Sequence, residues 1–147
     1  LMKKIFKIYI LIFLIFSINN IAYSKENFFQ EAIKLFNEEK FEDARFLFER
    51  NIVFNPKDSE SYLYLAKIYN HEKNQQKEEY NLETTLLIEP SNEEAILMLM
   101  NIALEKSNYE KVENLSKTFS KVCKNLCKEN KKIQESLKNL EPQDNES

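Results

Sequence analysis

The chain repeats itself with a step of 34 residues. Pro56 and Pro90 are one step apart, and so are Phe28, Tyr62 and Ile96; Ala32, Ala66 and Met100; and Leu35, Tyr69 and Ala103. Phe41 and Tyr109, like Ala44 and Val112, are separated by two steps. A period of this length means one supersecondary element used three times, each copy burying its apolar side against its neighbours. Every period holds two stripes of helical spacing. Phe28, Ala32, Leu35 and Phe36 fall at i, i+4, i+7 and i+8. After the polar stretch Asn37-Glu38-Glu39-Lys40, a second stripe follows at Phe41, Ala44, Phe48 and Ile52. Asn55-Pro56 closes it, because the residue before a proline is disfavoured in the α region. Asp58 or Ser59 is placed to cap the next helix, and Ser91 with Glu94 forms a capping box ahead of the third period.

A helix-turn-helix unit of this length, with large, small and aromatic residues at set positions and a closing proline, resembles the tetratricopeptide repeat. Three units match, at residues 25–58, 59–92 and 93–126, and the first matches best through Phe28, Ala32, Leu35, Phe41, Ala44, Phe48 and Pro56. The resemblance implies an all-α, right-handed helix-turn-helix solenoid of three units. After the third unit Leu126, Ile133, Leu137 and Leu140 mark an amphipathic capping helix at residues 127–140, with 141–147 a disordered tail. The resemblance also implies a concave groove that holds a protein or peptide partner. By the family's spacing Phe29, Ile33 and Phe36, then Leu63, Lys67 and Asn70, then Leu97, Asn101 and Leu104 line that groove. The family's carboxylate clamp needs Lys and Asn where this chain has Phe29, Ile33 and Tyr64, so a clamp is not expected.

The chain has no glycine, where average usage of about 7% would give roughly ten. A phosphate-binding loop, a dinucleotide fingerprint and a nucleophile elbow all need glycine and are excluded. The tetratricopeptide pattern often has glycine at two places per unit. Here Ala32, Ala66 and Met100 fill the small position, and Glu39-Lys40, Lys73-Asn74 and Ser107-Asn108 fill the turns. Asparagine tolerates the left-handed region, so Asn74 and Asn108 are expected to take positive φ. Gln75 and Glu78 stand where the second unit should bury an aromatic and a small residue, so its second helix is expected to be the least well packed. Lys124 replaces the third closing proline, and the last helix of that unit is expected to run on or bend differently.

The first 24 residues read as a cleaved signal peptide: Lys3, Lys4 and Lys7, an apolar run from Ile8 to Phe16, then Ala22-Tyr23-Ser24. The run is shorter than the ~20 residues a membrane span requires, and Asn19 and Asn20 interrupt it. An uncleaved anchor is the alternative. The expected location is across the inner membrane of a bacterium, in the periplasm. The net charge is −3, and cleavage makes it −6 by removing three lysines. With 19 lysines against two arginines, the chain lacks the usual instrument of nucleic-acid recognition. Residues 117–138 carry seven lysines and two glutamates. This basic helix reads as a solvated cap face, with weak attraction to a membrane surface as the alternative.

Cys123 and Cys127 are the only cysteines. In an oxidising compartment they read first as a structural disulfide stapling the last repeat to the cap if the chain turns between them. Free buried thiols, or a copper-handling or redox pair, are the alternatives. His71, the single histidine, has nothing beside it in sequence that makes it catalytic, and the paired acids Glu38-Glu39, Glu78-Glu79 and Glu93-Glu94 read as solvated faces. The expected function is non-catalytic protein–protein binding, without cofactor or metal.

Overall fold

The computed structural model describes residues 27–140. The signal segment and the tail expected at 141–147 lie outside the described residues. Among the described residues seven helices follow in order: α1 Asn27–Asn37, α2 Phe41–Phe54, α3 Ser59–His71, α4 Gln75–Ile88, α5 Glu93–Glu105, α6 Tyr109–Val122 and α7 Cys127–Leu140. They are three antiparallel pairs and a seventh helix, as the period requires. The chain divides into two compact bodies, one ending at Pro56 and the other beginning at Lys57.

In the first body α1 packs on α2 through the small residues Ala32 and Ala44, both fully buried, and the fully buried Phe48. Phe29 meets Phe48 edge to face at 5.9 Å, and Phe36 meets Phe41 at 5.4 Å. Phe28 stacks on Phe54 while the Arg50 guanidinium lies 4.4 Å from the Phe28 ring centre. In the second body α3, α4 and α5 share a cluster of Leu63, Ala66, Leu82, Ala95, Leu99 and Ile102. A further cluster joins Ile96, Leu97, Met100 and Ala103 of α5 to Val112 and Phe119 of α6 and Ile133 and Leu137 of α7. The seventh helix thus covers the apolar side of the third repeat.

The three turns inside the repeats share one geometry. Glu39, Lys73 and Ser107 hold φ of 59°, 57° and 53°, and these residues are themselves 34 apart. The N–H of the following residue reaches back five positions: Lys40 to Leu35, Asn74 to Tyr69 and Asn108 to Ala103, at 2.8–2.9 Å. The left-handed residue donates to the carbonyl three back, from Glu39 to Phe36, Lys73 to Asn70 and Ser107 to Leu104. Each turn is therefore a Schellman cap, whose left-handed residue usually is glycine. The expectation of positive φ at Asn74 and Asn108 is corrected by one residue. These asparagines instead have φ of −96° and −90° and cap the next helix, accepting from the N–H of Lys77 and Lys111. The short amide is needed for that bond, so the strained conformation falls on the residue before it. Lys40, their counterpart in the first repeat, makes no side-chain cap bond. Ahead of α5 the cap is Asn92, accepting from the N–H of Ala95, and not Ser91.

The second helix of the second repeat differs from expectation too. Glu78, aligned with Ala44 and Val112, is 4% exposed rather than solvated. Asn70 Nδ2 donates to its Oε1 at 3.0 Å. The same helix buries Asn81 and Thr85, which hydrogen-bond back to the carbonyls of Lys77 and Asn81. Among the described residues, no buried side-chain N or O lacks a partner. Polar packing has replaced apolar packing in α4 without leaving its buried groups unsatisfied.

Burial raises the Glu78 carboxyl above its ordinary range, with Glu105 and Glu79 adding to the rise and the Asn70 bond opposing it. A raised folded pKa means the folded state holds the proton more tightly, so this group's contribution to stability falls as pH climbs through the window above ordinary carboxylate values. Glu78→Gln keeps the acceptor for Asn70 and removes the buried charge. It is expected to stabilise the protein at neutral pH by about 1 kcal/mol. The gain should shrink as pH is lowered through that window. Urea denaturation of both proteins across pH 4–8 measures it, and a gain independent of pH excludes the buried charge as its cause.

Candidate functional site

The sequence places nine residues along the inner faces of the first helices, and the structure gives them different roles. Phe29, Ile33 and Phe36 belong to the first body and are all partly buried, with Phe29 held against Phe48 and Phe36 against Phe41. In the second body Leu63 and Lys67 line one cleft. Asn70 is exposed but its amide is engaged by Glu78. Asn101 is exposed. Leu97 is 9% exposed and sits in the cluster with Ile133 and Leu137, and Leu104 packs against that cluster. Leu97 thus lies in the core that receives α7, just as Leu63, 6% exposed, lies in the cluster with Ala95 and Leu99 while also lining the cleft.

The cleft has a volume of about 580 Å³. One wall is α3, through Glu60, Leu63, Tyr64 and Lys67. The turn from α4 to α5 supplies Glu89 and Asn92, and the chain between α6 and α7 supplies Lys124, Asn125 and Leu126, with Val122 before it. Its polar edge is ordered from within. Lys67 Nζ lies 2.9 Å from Glu94 Oε2 and 4.8 Å from the centre of the Tyr64 ring. Ser59 Oγ donates to Glu89 Oε2 at 2.9 Å, and Asn92 Nδ2 donates to the same oxygen at 3.1 Å.

The wall formed by residues 123–126 was not legible as a site element. α6 ends at Val122, and Cys123 turns the chain with ψ of 139°. The helix ends where the third proline is missing, so it does not run on. The sulfurs of Cys123 and Cys127 are bonded at 2.12 Å, with Cα atoms 5.3 Å apart. Bonded to each other, neither sulfur offers the thiolate that copper binding would need. Glu93, in the first turn of α5, holds the same loop from the other side. Its carboxylate accepts from the N–H of Lys124 at 2.9 Å, Asn125 at 3.1 Å and Leu126 at 2.8 Å. Three successive N–H groups on one carboxylate form an anion nest filled by the chain's own side chain. Those bonds, led by Leu126, hold the Glu93 carboxyl below its ordinary range. The sequence signal for this role was slight: Glu93 stood in an acidic pair that reads as solvated.

A depressed carboxyl pKa stabilises the fold above the unfolded value and loses that contribution as pH falls through the folded one. The clasp on residues 124–126 is therefore expected to release in acid, below the ordinary carboxylate range. At neutral pH, Glu93→Ala should speed hydrogen exchange at the amides of Lys124, Asn125 and Leu126 while the amides of α3 stay protected. Unchanged exchange at those three amides would show that the clasp does not hold the loop in solution.

Among the described residues, no three His, Cys, Asp or Glu side chains are grouped to hold a metal ion, and no helix is long and apolar enough to cross a membrane. The outer faces of α2 and α4 carry exposed apolar residues one period apart: Phe46 and Tyr80, and Val53 and Leu87. Asn114 and Lys121 take those places in the third repeat.

No protein-family model matches the chain, and no curated protein matches it. Solved structures do. The Yersinia enterocolitica type III secretion chaperone SycD, in complex with a peptide of the translocator YopD, is similar with a TM-score of 0.70 and 16% identity, over 78% of this chain and 92% of that one. The Sgt2 TPR domain from Aspergillus fumigatus is similar with a TM-score of 0.63 and 12% identity, over 79% and 78%. A chain of the CopN–Scc3 complex gives a TM-score of 0.62 and 11% identity, over 82% and 71%. The fold is that of a tetratricopeptide helical repeat. The sequence resemblance, carried by spacing rather than by identity, pointed to the same fold.

Proposed function

We propose that the protein is a non-catalytic interaction module of the bacterial cell envelope, secreted across the inner membrane, that holds a peptide or helix of another protein. The observation that carries this reading is the cleft beside α3. It combines an apolar lining of Leu63, Tyr64, Val122 and Leu126 with a charged edge, on a scaffold fixed by the disulfide and the Glu93 clasp. A small cleft with an apolar interior and a few placed polar groups is the usual form of a recognition site. SycD, which shares the fold, was solved with a peptide bound. The envelope location rests on the signal-like segment and on a cysteine pair that suits an oxidising compartment.

A photo-crosslinking amino acid at Tyr64 tests the reading in the native host. It is expected to capture a protein partner in the envelope fraction, and capture should fall at least about tenfold when Leu126→Asp is added, the effect of losing one well-seated apolar contact. The same label at Tyr80, on the outer face of α4, should capture none of that partner. Capture at Tyr80 in place of Tyr64 would move the interaction to the outer faces and end the cleft reading.

A further inference from the structure

The charges of the cleft specify what kind of peptide it takes. Four carboxylates, Glu60, Glu89, Glu93 and Glu94, face two ammonium groups, Lys67 and Lys124. They are not equally available. Glu94 is paired with Lys67, and Glu93 is taken up by three backbone N–H groups. Glu89 accepts only from the neutral Ser59 hydroxyl and Asn92 amide. Glu60 is exposed and in no ion pair among the described residues. The Ser59 bond draws the first turn of α3, which carries Glu60, up to Glu89. Two of the cleft's carboxylates, Glu60 and Glu89, are therefore in no ion pair among the described residues, in a cleft whose apolar lining includes Tyr64, Val122 and Leu126.

Resting on the reading of this cleft as a peptide site, we propose that its occupant is a segment with a lysine or arginine beside an apolar side chain. The apolar group packs against Tyr64 and Leu126 with Leu63 beneath. The cation sits at Glu60 and Glu89 and supplies the charge they lack. An acidic segment would bring like charge against both, which complementary interfaces avoid. The walls are set before binding: Leu126 lies inside the five-residue loop that the disulfide closes, and Lys67 is already committed to Glu94 and Tyr64. Fixed walls reduce the ordering cost of association.

The test is selection of random peptides on the full protein from which any signal segment has been removed. Peptides that also bind a Tyr64→Ala/Leu126→Asp variant are discarded, so that the survivors are cleft binders. Survivors are expected to carry Lys or Arg next to an apolar residue. Their affinity, measured by calorimetry, should drop about fivefold on Glu60→Gln/Glu89→Gln, the size expected for two rim ion pairs, and should weaken with added salt. Glutamine keeps an acceptor for Ser59 and Asn92, so the fold is retained. Survivors that are neutral or acidic, or whose affinity ignores the double glutamine variant, overturn this inference and leave the cleft a peptide site. If no survivors remain, the peptide reading itself falls and takes this inference with it.

Discussion

Phe119→Ala is expected to cost about 3–5 kcal/mol. Phe119 is fully buried where three helices meet: Ile96 and Met100 of α5, Val112 of α6, and Ile133 and Leu137 of α7 share its cluster. Removing the ring loses its burial and leaves a cavity that rigid helices cannot collapse to fill. A loss of that size is a large part of the 5–15 kcal/mol that holds a typical domain together. The urea midpoint should therefore fall sharply, and α7 should lose protection first, because Ile133 and Leu137 are its buried anchors. Phe46→Ala is the control. Its ring is 60% exposed, and the cost should stay within about 0.5 kcal/mol. Equal costs at the two positions would mean that the cluster does not carry the stability assigned to it.

Replacing Glu39, Lys73 and Ser107 together by glycine is expected to stabilise the protein by about 2 kcal/mol. The three hold φ between 53° and 59°, a region that costs a residue with a Cβ about 1–2 kcal/mol. Glycine removes that strain but loses about 0.5–1 kcal/mol of backbone entropy on folding. The net gain is somewhat under 1 kcal/mol at each turn. Lys40→Gly, Asn74→Gly and Asn108→Gly, one residue on, should show the opposite sign at the last two positions, where the side chain caps a helix. Thermal denaturation of both triple variants gives the comparison. A stabilised Asn-position variant would put the strain on the wrong residue.

Much of the fold was legible because the period is strong. The proline steps, the alanine column Ala32 and Ala66, and the alternation of apolar stripes with polar turns gave three helix pairs and a seventh helix. Absence of glycine marked the turns as positions of tension. Which residue of each pair bears the left-handed conformation was not legible from tolerance alone. Asparagine suits both the left-handed region and the helix cap, and the hydrogen bonds of the cap decided between them. The columns also concealed exchanges. Phe48, Leu82 and Ser116 share a column, and so do Asn51, Thr85 and Phe119; all six are buried. Ser116 can be buried because α7 brings Asn130 and Gln134 to its hydroxyl. No pattern within one repeat announces a partner supplied by another.

The candidate site shows the same division. Leu63 and Lys67 are reachable from the spacing of the family that the chain resembles, and both line the cleft. Leu97 has the same place in its own helix and clusters with Ile133 and Leu137 of α7, as Leu63 clusters with Ala95 and Leu99 of α5, but only Leu63 also lines the cleft. Leu126 and the three N–H groups that Glu93 clasps come from the chain between α6 and α7, where the third unit lacks its closing proline and the period gives no guide.

By itself the sequence determined an all-helical fold, its helix pairs and the apolar stripes of every pair except in α4, whose buried face is largely polar. Those follow from periodicity and turn chemistry, which act over a few residues. Only the tertiary structure decided which carboxylates are solvated and which are spent. Glu78 is buried on Asn70, Glu93 is bound to three backbone N–H groups, and Glu60 stands without an ion pair among the described residues. A carboxylate's role depends on what reaches it from other helices, and that is fixed by packing between segments tens of residues apart.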